Sequence, residues 1–255
     1  MFSNLRSLIF KLDPETAHNL AIKSLKFNFV PNILDDDKDN PLFKVGLFNK
    51  DLENPIGMAA GFDKNAEVYN SLFKLGFGFV EVGTVTPLKQ YGNPKPRVFR
   101  LAEDEALINR LGFNNYGAMN VLERIKSNRQ NGLLGINIGP NKDTKNRLND
   151  YIECLKTFYG VADYITINIS SPNTEDLRSF HDQTKLNELL ETIDKEKKAL
   201  NTQVPIAVKV SPDIDDQEIN KISEVLLNNN IEVIIISNTS DSTRENLNNT
   251  QGHQK

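Results

Sequence analysis

The chain has 255 residues, of which 38% are hydrophobic, and its formal net charge is −4. One large core is therefore possible, and a β/α barrel of roughly 250 residues is a single domain of that size. The acidic balance and the absence of a block rich in lysine and arginine disfavour a nucleic-acid partner. A single cysteine excludes an internal disulfide and a multi-cysteine metal site, and the three histidines lack ligand spacing, so no metal is expected.

The first predicted zone covers residues 1–39 and is helical. Apolar residues recur at helical spacing between Leu5 and Leu12, and Asp13-Pro14-Glu15 is typical of a helix start, with an N-cap followed by proline. The zone is locally basic on an acidic protein. This pattern fits a helical hairpin packed on the main domain, and it also fits a helix pair lying on a membrane surface. An acidic run at residues 35–37 is predicted to be a solvated linker.

The second predicted zone, residues 40–255, alternates short apolar runs with helical patterns. The candidate strands are residues 56–60, 79–85, 133–138, 164–169, 206–210 and 233–237, and the candidate helices are residues 67–75, 119–127, 150–158, 185–198 and 217–228. Such alternation predicts a parallel sheet with right-handed crossovers, buried on both faces because the strands are almost wholly apolar. Residues 86–113 are predicted to be an elaborated loop, and the polar residues 240–255 contain no further strand.

Polar residues cluster at the ends of these six strands. In a parallel barrel the carboxyl ends share one face, where active sites lie. Asparagine offers both a carbonyl acceptor and amide donors, as does the edge of a pyrimidine or cyclic imide ring. Four asparagines could surround such a ring, and two lysines could attract a carboxylate and an electron-rich cofactor: Asn109, Asn168, Asn173 and Asn238, with Lys64 and Lys209. These residues alone predict a barrel enzyme that binds an anionic heterocycle.

Six segments and an N-terminal LDPETAH resemble the class 2, quinone-dependent dihydroorotate dehydrogenases. The segments are AAGFDK (residues 59–64), EVGTVTP (81–87), NRLGFNN (109–115), GINIGPNKDT (135–144), INISSPNT (167–174) and AVKVSPD (207–213). They occur in one collinear order from the start of the chain to about Thr239. The resemblance implies a (β/α)₈ barrel of the TIM type with an N-terminal helical extension.

The resemblance also assigns roles to residues. It implies that FMN is held by Ala60, Gly61, Phe62, Asp63, Lys64, Thr84, Asn137, Asn168, Lys209 and Ser237. It implies that dihydroorotate is held by Lys64, Asn109, Arg110, Leu111, Gly112, Phe113, Asn168, Asn173, Asn238 and Thr239. Ser171 matches the catalytic base, which takes a proton from C5 of dihydroorotate while the flavin accepts the hydride from C6. A neutral serine is a weak base, so a water or hydroxyl relay is expected to carry the proton onward.

Two features favour class 2 over class 1. Class 1 enzymes use a cysteine as the base, whereas Ser171 occupies that place here and Cys154 lies on a predicted helix. The N-terminal zone resembles the extension that forms the quinone tunnel, which His18 and Arg100 would line. The implied function is oxidation of dihydroorotate to orotate in pyrimidine biosynthesis, with a membrane quinone as acceptor. The expected location is the cytoplasmic side of the cell membrane, bound peripherally through the N-terminal helices.

The family pattern continues beyond the sixth strand with glycine-rich turns that bind the FMN phosphate, and these are not found in this sequence. We therefore expect the last two β/α units to be missing. One alternative is a non-catalytic fragment of the enzyme that cannot hold FMN. Another is a different flavin barrel, such as a dihydropyrimidine dehydrogenase domain, which the serine base and the N-terminal helices disfavour.

Overall fold

A computed structural model describes residues 6–7, 9–27, 41–129, 132–172, 177–240, 244–245 and 247–249. The predicted linker at residues 35–37, and Leu5, Leu8 and Asn173, lie outside the described residues. The helices are α1 (Pro14–Lys26), α2 (Tyr69–Lys74), α3 (Ala118–Asn128), α4 (Arg147–Phe158), α5 (Gln183–Ala199) and α6 (Asp216–Asn228). The strands are β1 (Val45–Leu47), β2 (Lys50–Leu52), β3 (Gly57–Met58), β4 (Phe79–Val85), β5 (Val98–Leu101), β6 (Ala106–Asn109), β7 (Leu133–Ile138), β8 (Tyr164–Asn168), β9 (Ile206–Lys209) and β10 (Val233–Ile235).

The main sheet has six strands in the order β3-β4-β7-β8-β9-β10, and every neighbouring pair is parallel. This order follows the chain, as in six successive strands of a β/α barrel, and it confirms the predicted parallel sheet. Alternate residues of each strand face opposite sides. On one side, residues such as Val82, Ile136 and Ile167 are fully buried in the core shared with the helices. The other side carries the polar residues of the site.

The helices cover the outer side of the sheet because each presents one apolar face. Ile125 of α3, Leu155 of α4 and Leu189 of α5 are fully buried in the same core. Side-chain caps fix where several helices begin. The Asp215 carboxylate accepts from the backbone N–H of Gln217 and Glu218, and the Glu218 carboxylate accepts from the Asp215 backbone N–H. A cap of this kind stabilises a helix by about 1 kcal/mol.

A short hairpin of β1 and β2 lies against the inner side of the sheet, where the strands begin. Its residues pack with Leu133, Tyr164 and Ala207 in a second apolar cluster, and the Phe48 ring stacks on Tyr164 with ring centroids 4.9 Å apart. Asp163 ties this end together, since its carboxylate accepts from Lys50, from Arg129 and from the Leu134 amide. The inner side of the sheet is therefore apolar at the end where the strands start.

Helix α1 begins where the sequence predicts. Asp13 is the N-cap and accepts a hydrogen bond of 2.9 Å from the Thr16 amide, and Pro14 occupies the first helical position. The helix packs against α2 and β5. It is therefore docked on the main domain along part of its length.

Three expectations about the elements need correction. The first predicted strand, residues 56–60, is only Gly57–Met58, because the chain after Met58 turns into the site. The predicted loop at residues 86–113 contains the antiparallel hairpin of β5 and β6, and the β1–β2 hairpin was not predicted at all. Within the residues that the structure describes, no helix is both long and apolar enough to cross a bilayer.

Candidate active site

Three side chains form a continuous hydrogen-bonded layer at the carboxyl ends of β4, β7 and β8. The Thr84 hydroxyl donates to Asn137 Oδ1 over 2.6 Å, and the Asn168 side-chain amide donates to Thr84 Oγ1 over 2.9 Å and to Asn137 Oδ1 over 3.1 Å. All three are buried. Lys209 of β9 lies opposite Asn168 in the strand register. The structure thus brings together four of the residues assigned to FMN.

The segment that follows β3 lies beside this layer. The Gly61 amide donates to the Gly83 carbonyl over 2.8 Å, and the Gly83 amide donates to the Asp63 carbonyl over 3.1 Å. Gly83 has a φ of 114°, and a Cβ there would lie 2.3 Å from the Asn137 carbonyl oxygen, so only glycine allows this approach. The Lys64 ammonium donates to the Gly61 carbonyl over 2.8 Å. The predicted Gly61–Lys64 segment is therefore part of the site.

The pKa values of two titratable groups in this segment are shifted from their ordinary values. Burial lowers the pKa of Lys64 to about 8, and the nearby Arg97 charge acts in the same direction. Burial also raises the pKa of Asp63, although the Glu67 and Val68 amides donate to its carboxylate at 2.7 Å each. A lysine that changes charge near neutral pH is characteristic of a functional site.

The serine assigned as the base lies beside the asparagine layer. Asn168 Oδ1 accepts from the Ser170 amide over 3.1 Å and from the Ser170 hydroxyl over 2.7 Å. The Asn238 amide in turn donates to Ser170 Oγ over 3.0 Å. Ser171 follows directly and is only 3% exposed. Ser170, Asn168 and Asn238 thus belong to one hydrogen-bonded cluster, and Ser171 is the next residue along the chain. Ser237 turns its hydroxyl toward the Asn238 carbonyl at 2.9 Å.

The loop that follows β6 closes against the same layer. Gly112 and Phe113 both have a positive φ, and the Gln90 side chain donates to the Gly112 carbonyl over 3.0 Å. A Cβ placed on Gly139 would lie 2.9 Å from Thr84 Cγ2 and 3.1 Å from the Phe113 ring. Phe113 and Thr84 are therefore separated by little more than Gly139, which brings the predicted Asn109–Phe113 loop to the amide layer.

Two buried polar residues of the site were not singled out from the sequence. Asn115 is 3% exposed and donates to the Thr86 hydroxyl and the Phe113 carbonyl, both at 2.8 Å, which anchors the end of the loop. Glu81 is 4% exposed on β4 and accepts from Asn137 over 2.8 Å. A signal for Glu81 was available, because a carboxylate in an otherwise apolar strand requires buried donors.

A cavity of about 550 Å³ lies between α1, the β5–β6 hairpin and the Gly61–Lys64 segment. His18 and Arg100, which the sequence assigns to a quinone tunnel, are both among the residues that line it. The His18 ring packs edge-on against Phe62 with centroids 5.1 Å apart, and burial, followed by the Lys64 charge, lowers the pKa of His18. Arg100 donates to the Leu12 carbonyl over 2.6 Å. The cavity thus reaches the site through the Phe62 segment.

Comparison with known proteins is decisive for the family. The family described as "Dihydroorotate dehydrogenase" matches residues 42–254. The chain belongs to this family. The Agrobacterium fabrum dihydroorotate dehydrogenase (quinone) is 44% identical over 252 residues, which is 97% of this chain and 69% of that protein. The Bartonella henselae dihydroorotate dehydrogenase (quinone) is 48% identical over 239 residues, covering 92% of this chain and 65% of that protein.

Solved structures of the family agree with the fold. The crystal structure of the Eimeria tenella DHODH in complex with ferulenol matches with a TM-score of 0.88 and 37% identity, covering 95% of this chain and 71% of that chain. Ligand-free DHODH from the same organism matches with a TM-score of 0.89, covering 73% of that chain. The six-stranded sheet is therefore of the TIM-barrel type. The chain spans about two thirds to three quarters of the length of the family members that it matches.

Proposed function

We propose that the whole protein oxidises dihydroorotate to orotate in pyrimidine biosynthesis, with FMN as its cofactor and a quinone as the electron acceptor. The observation that supports this most directly is the convergence of Thr84, Asn137 and Asn168 with the Ser171 loop at the carboxyl ends of three neighbouring strands. The match to relatives described as quinone-dependent dihydroorotate dehydrogenases agrees with this assignment.

The donors and acceptors in the layer fit a flavin ring. A Cβ on Gly61 would have no neighbour closer than Lys64 Nζ at 4.0 Å, so there is open space beside this backbone. Thr84, Asn137 and Lys209 offer a hydroxyl, an amide and an ammonium to a ring whose edge alternates donors and acceptors. FMN bound there would supply the redox chemistry, as the acceptor of a hydride from C6 of dihydroorotate.

The protein's own contribution is to hold the substrate and remove a proton. The Asn168 and Asn238 amides orient the ring, and the Lys64 ammonium attracts the substrate carboxylate. Ser171 Oγ accepts the C5 proton as the C6 hydride leaves, and the carbon electron pair left at C5 forms the C5–C6 double bond of orotate. Because the hydroxyl cannot keep a second proton, it passes its own proton onward through a water or hydroxyl relay.

The cavity beside α1 suits the quinone. It is bounded on one side by the Phe62 segment of the site and on another by α1, which carries Lys23 and Lys26 in its last turn. A quinone entering from a membrane surface would reach the site along this route. We therefore propose peripheral attachment to the cytoplasmic face of the cell membrane through the N-terminal helices.

The test is anaerobic mixing of the purified, yellow protein with dihydroorotate, followed by addition of a quinone. The flavin absorbance should bleach with dihydroorotate and return with the quinone but not with NAD⁺ or fumarate. Failure of dihydroorotate to bleach the flavin would overturn the proposal.

The same spectrum recorded for residues 1–255 alone separates the proposed function from the alternative of a fragment that cannot hold FMN. In the described part of the chain, β3 and β10 lie at the two edges of the sheet.

A further inference from the structure

Glu81 is the centre of a buried group of polar side chains. This group lies between the end of the sheet covered by the β1–β2 hairpin and the layer formed by Thr84, Asn137 and Asn168. Its Oε1 accepts from Asn137 Nδ2 over 2.8 Å, and its Oε2 accepts from the hydroxyls of Tyr164 over 3.0 Å and Thr166 over 2.8 Å. Burial, and secondly the Glu81 charge, raise the pKa of Tyr164 well above its ordinary value, so this hydroxyl stays protonated as a donor. Three donors from two neighbouring strands therefore converge on one carboxylate.

The backbone makes room for this arrangement. Gly135 of β7 pairs in register with both Glu81 and Tyr164, and it lies between them. A Cβ on Gly135 would be 2.1 Å from Tyr164 Cζ, so the tyrosine can cross β7 and reach Glu81 only because this position is glycine. A buried carboxylate needs its donors in place. Sequence and geometry together thus support a layer built around Glu81.

The carboxylate fixes the direction of the hydrogen bonds above it. An asparagine amide can exchange its oxygen and nitrogen by a half-turn, but both Glu81 oxygens act as acceptors here, from Asn137, Tyr164 and Thr166. Asn137 must therefore turn its NH₂ toward Glu81, and its carbonyl oxygen faces Thr84 and Asn168. Asn168 must in turn offer its NH₂ to that oxygen and its carbonyl oxygen to Ser170.

We propose that Glu81 is a positioning residue. It sets which way the NH₂ and carbonyl groups of the Asn137 and Asn168 side chains point, and it thereby orients the side chains that bind the ring beside Ser171. This inference rests on the proposed function, since it concerns the same site. It assigns Glu81 no contact with substrate or flavin. Its role is to accept a hydrogen bond from Asn137 Nδ2 at Oε1.

The experiment compares five substitutions in the flavin-loaded protein. Glu81→Met removes every acceptor, and Glu81→Asp keeps the charge but draws the carboxylate back by one methylene from Asn137. Both should slow flavin reduction by dihydroorotate roughly 10- to 100-fold, the cost of slight misplacement in a site. Glu81→Gln should stay within about threefold of the wild type, because its oxygen can face Asn137 while the two hydroxyls rotate to accept. Thr166→Val and Tyr164→Phe each remove one donor but leave the bond to Asn137, so their rates should stay near the wild type.

Two further readouts separate positioning from simple stabilisation. The side-chain NH₂ resonances of Asn137 and Asn168 should shift or double in Glu81→Met and Glu81→Asp, and remain single in Glu81→Gln and Thr166→Val. The thermal midpoint of unfolding should fall in Thr166→Val as well as in Glu81→Met. If rates follow the midpoint across all variants, or if the amide resonances are unmoved in both Glu81→Met and Glu81→Asp, the proposal is overturned. If wild-type protein does not oxidise dihydroorotate, the proposed function fails, and the resonances still decide the role of Glu81.

Discussion

The ion pair between Arg97 and Glu15 is expected to hold α1 against the main domain. Arg97 Nη2 and Nε donate to the two Glu15 carboxylate oxygens over 2.5 and 3.1 Å, and Nη1 donates to the Tyr91 and Asn93 carbonyls over 2.6 and 3.0 Å. The Arg97 side chain is 6% exposed and that of Glu15 is 14% exposed. Removing Arg97 leaves a nearly buried carboxylate and two carbonyls without this donor.

Arg97→Met should therefore lower the free energy of unfolding by about 4 kcal/mol. Breaking one side of a buried pair costs about 3–5 kcal/mol, and Glu15 belongs at the low end because it retains some exposure. Each carbonyl adds roughly 0.5–1 kcal/mol, since water can partly replace the lost donor. The matched control is Lys95→Met. Lys95 approaches Glu15 at 3.4 Å but its side chain is 62% exposed, so its loss should cost less than about 1 kcal/mol.

The assay is urea unfolding followed by circular dichroism, with hydrogen exchange to locate the loss in α1. The Arg97 hydrogen bond and charge lower the pKa of Glu15 although burial acts to raise it. An acid with a lowered pKa stabilises the fold above its ordinary value of 4.5, so the difference between wild type and Arg97→Met should shrink as the pH falls below that value. Equal losses in Arg97→Met and Lys95→Met at neutral pH would refute the reasoning.

Three further outcomes are expected in the whole protein. Ser171→Ala should slow flavin reduction by dihydroorotate about 10²–10⁴-fold with little change in substrate affinity, because a positioned base is lost; a wild-type rate in stopped flow would remove Ser171 from that role. Deleting residues 1–36 should abolish quinone reduction and vesicle binding while dihydroorotate still bleaches the flavin; an undiminished rate with a long-chain quinone would contradict the cavity assignment. Orotate should bind more weakly as the pH rises through about 8, where Lys64 loses its charge, and Lys64→Met should abolish this dependence in a spectral titration. The pH dependence of folding has the opposite sign. Because the unfolded chain holds the Lys64 proton more tightly, this group makes the free energy of unfolding rise as the pH increases from about 8 to 10.5.

The six parallel strands could be predicted as short apolar runs, and the four inner strands, β4, β7, β8 and β9, are buried on both faces. Residues 79–85 and 133–138 were predicted with the bounds that the structure has. The two hairpins escaped prediction because their strands have only three or four residues and mix exposed with buried positions. A helix predicted at residue 67 begins at Tyr69, because the Asp63 carboxylate binds the Glu67 and Val68 amides and holds a turn there.

For the site as well, some features could be predicted from the sequence and others could not. Asn137, Asn168 and Lys209 could be located because they end predicted strands, and strand ends meet in a parallel sheet. Their assignment to FMN and substrate rested on the family resemblance and stays a prediction. The hydrogen bonds between them could not be predicted, since the direction of a side-chain amide depends on partners far apart in sequence, as with Asn137 and Glu81, which are 56 residues apart. Asn173, assigned to the substrate, lies outside the described residues.

The cavity and the amide layer draw on different parts of the chain. The cavity wall comes largely from α1 and from residues around the β5–β6 hairpin, whereas Asn137, Asn168 and Lys209 are outside its lining. Substitutions in α1 and in the β5–β6 hairpin can therefore reshape part of the wall without touching the amide layer, whereas Gly61–Lys64 and Leu111 belong both to the wall and to the proposed site. Under the proposed function, changes in α1 and the hairpin would alter which acceptors enter the cavity, while the amide layer would keep the arrangement on which the chemistry depends.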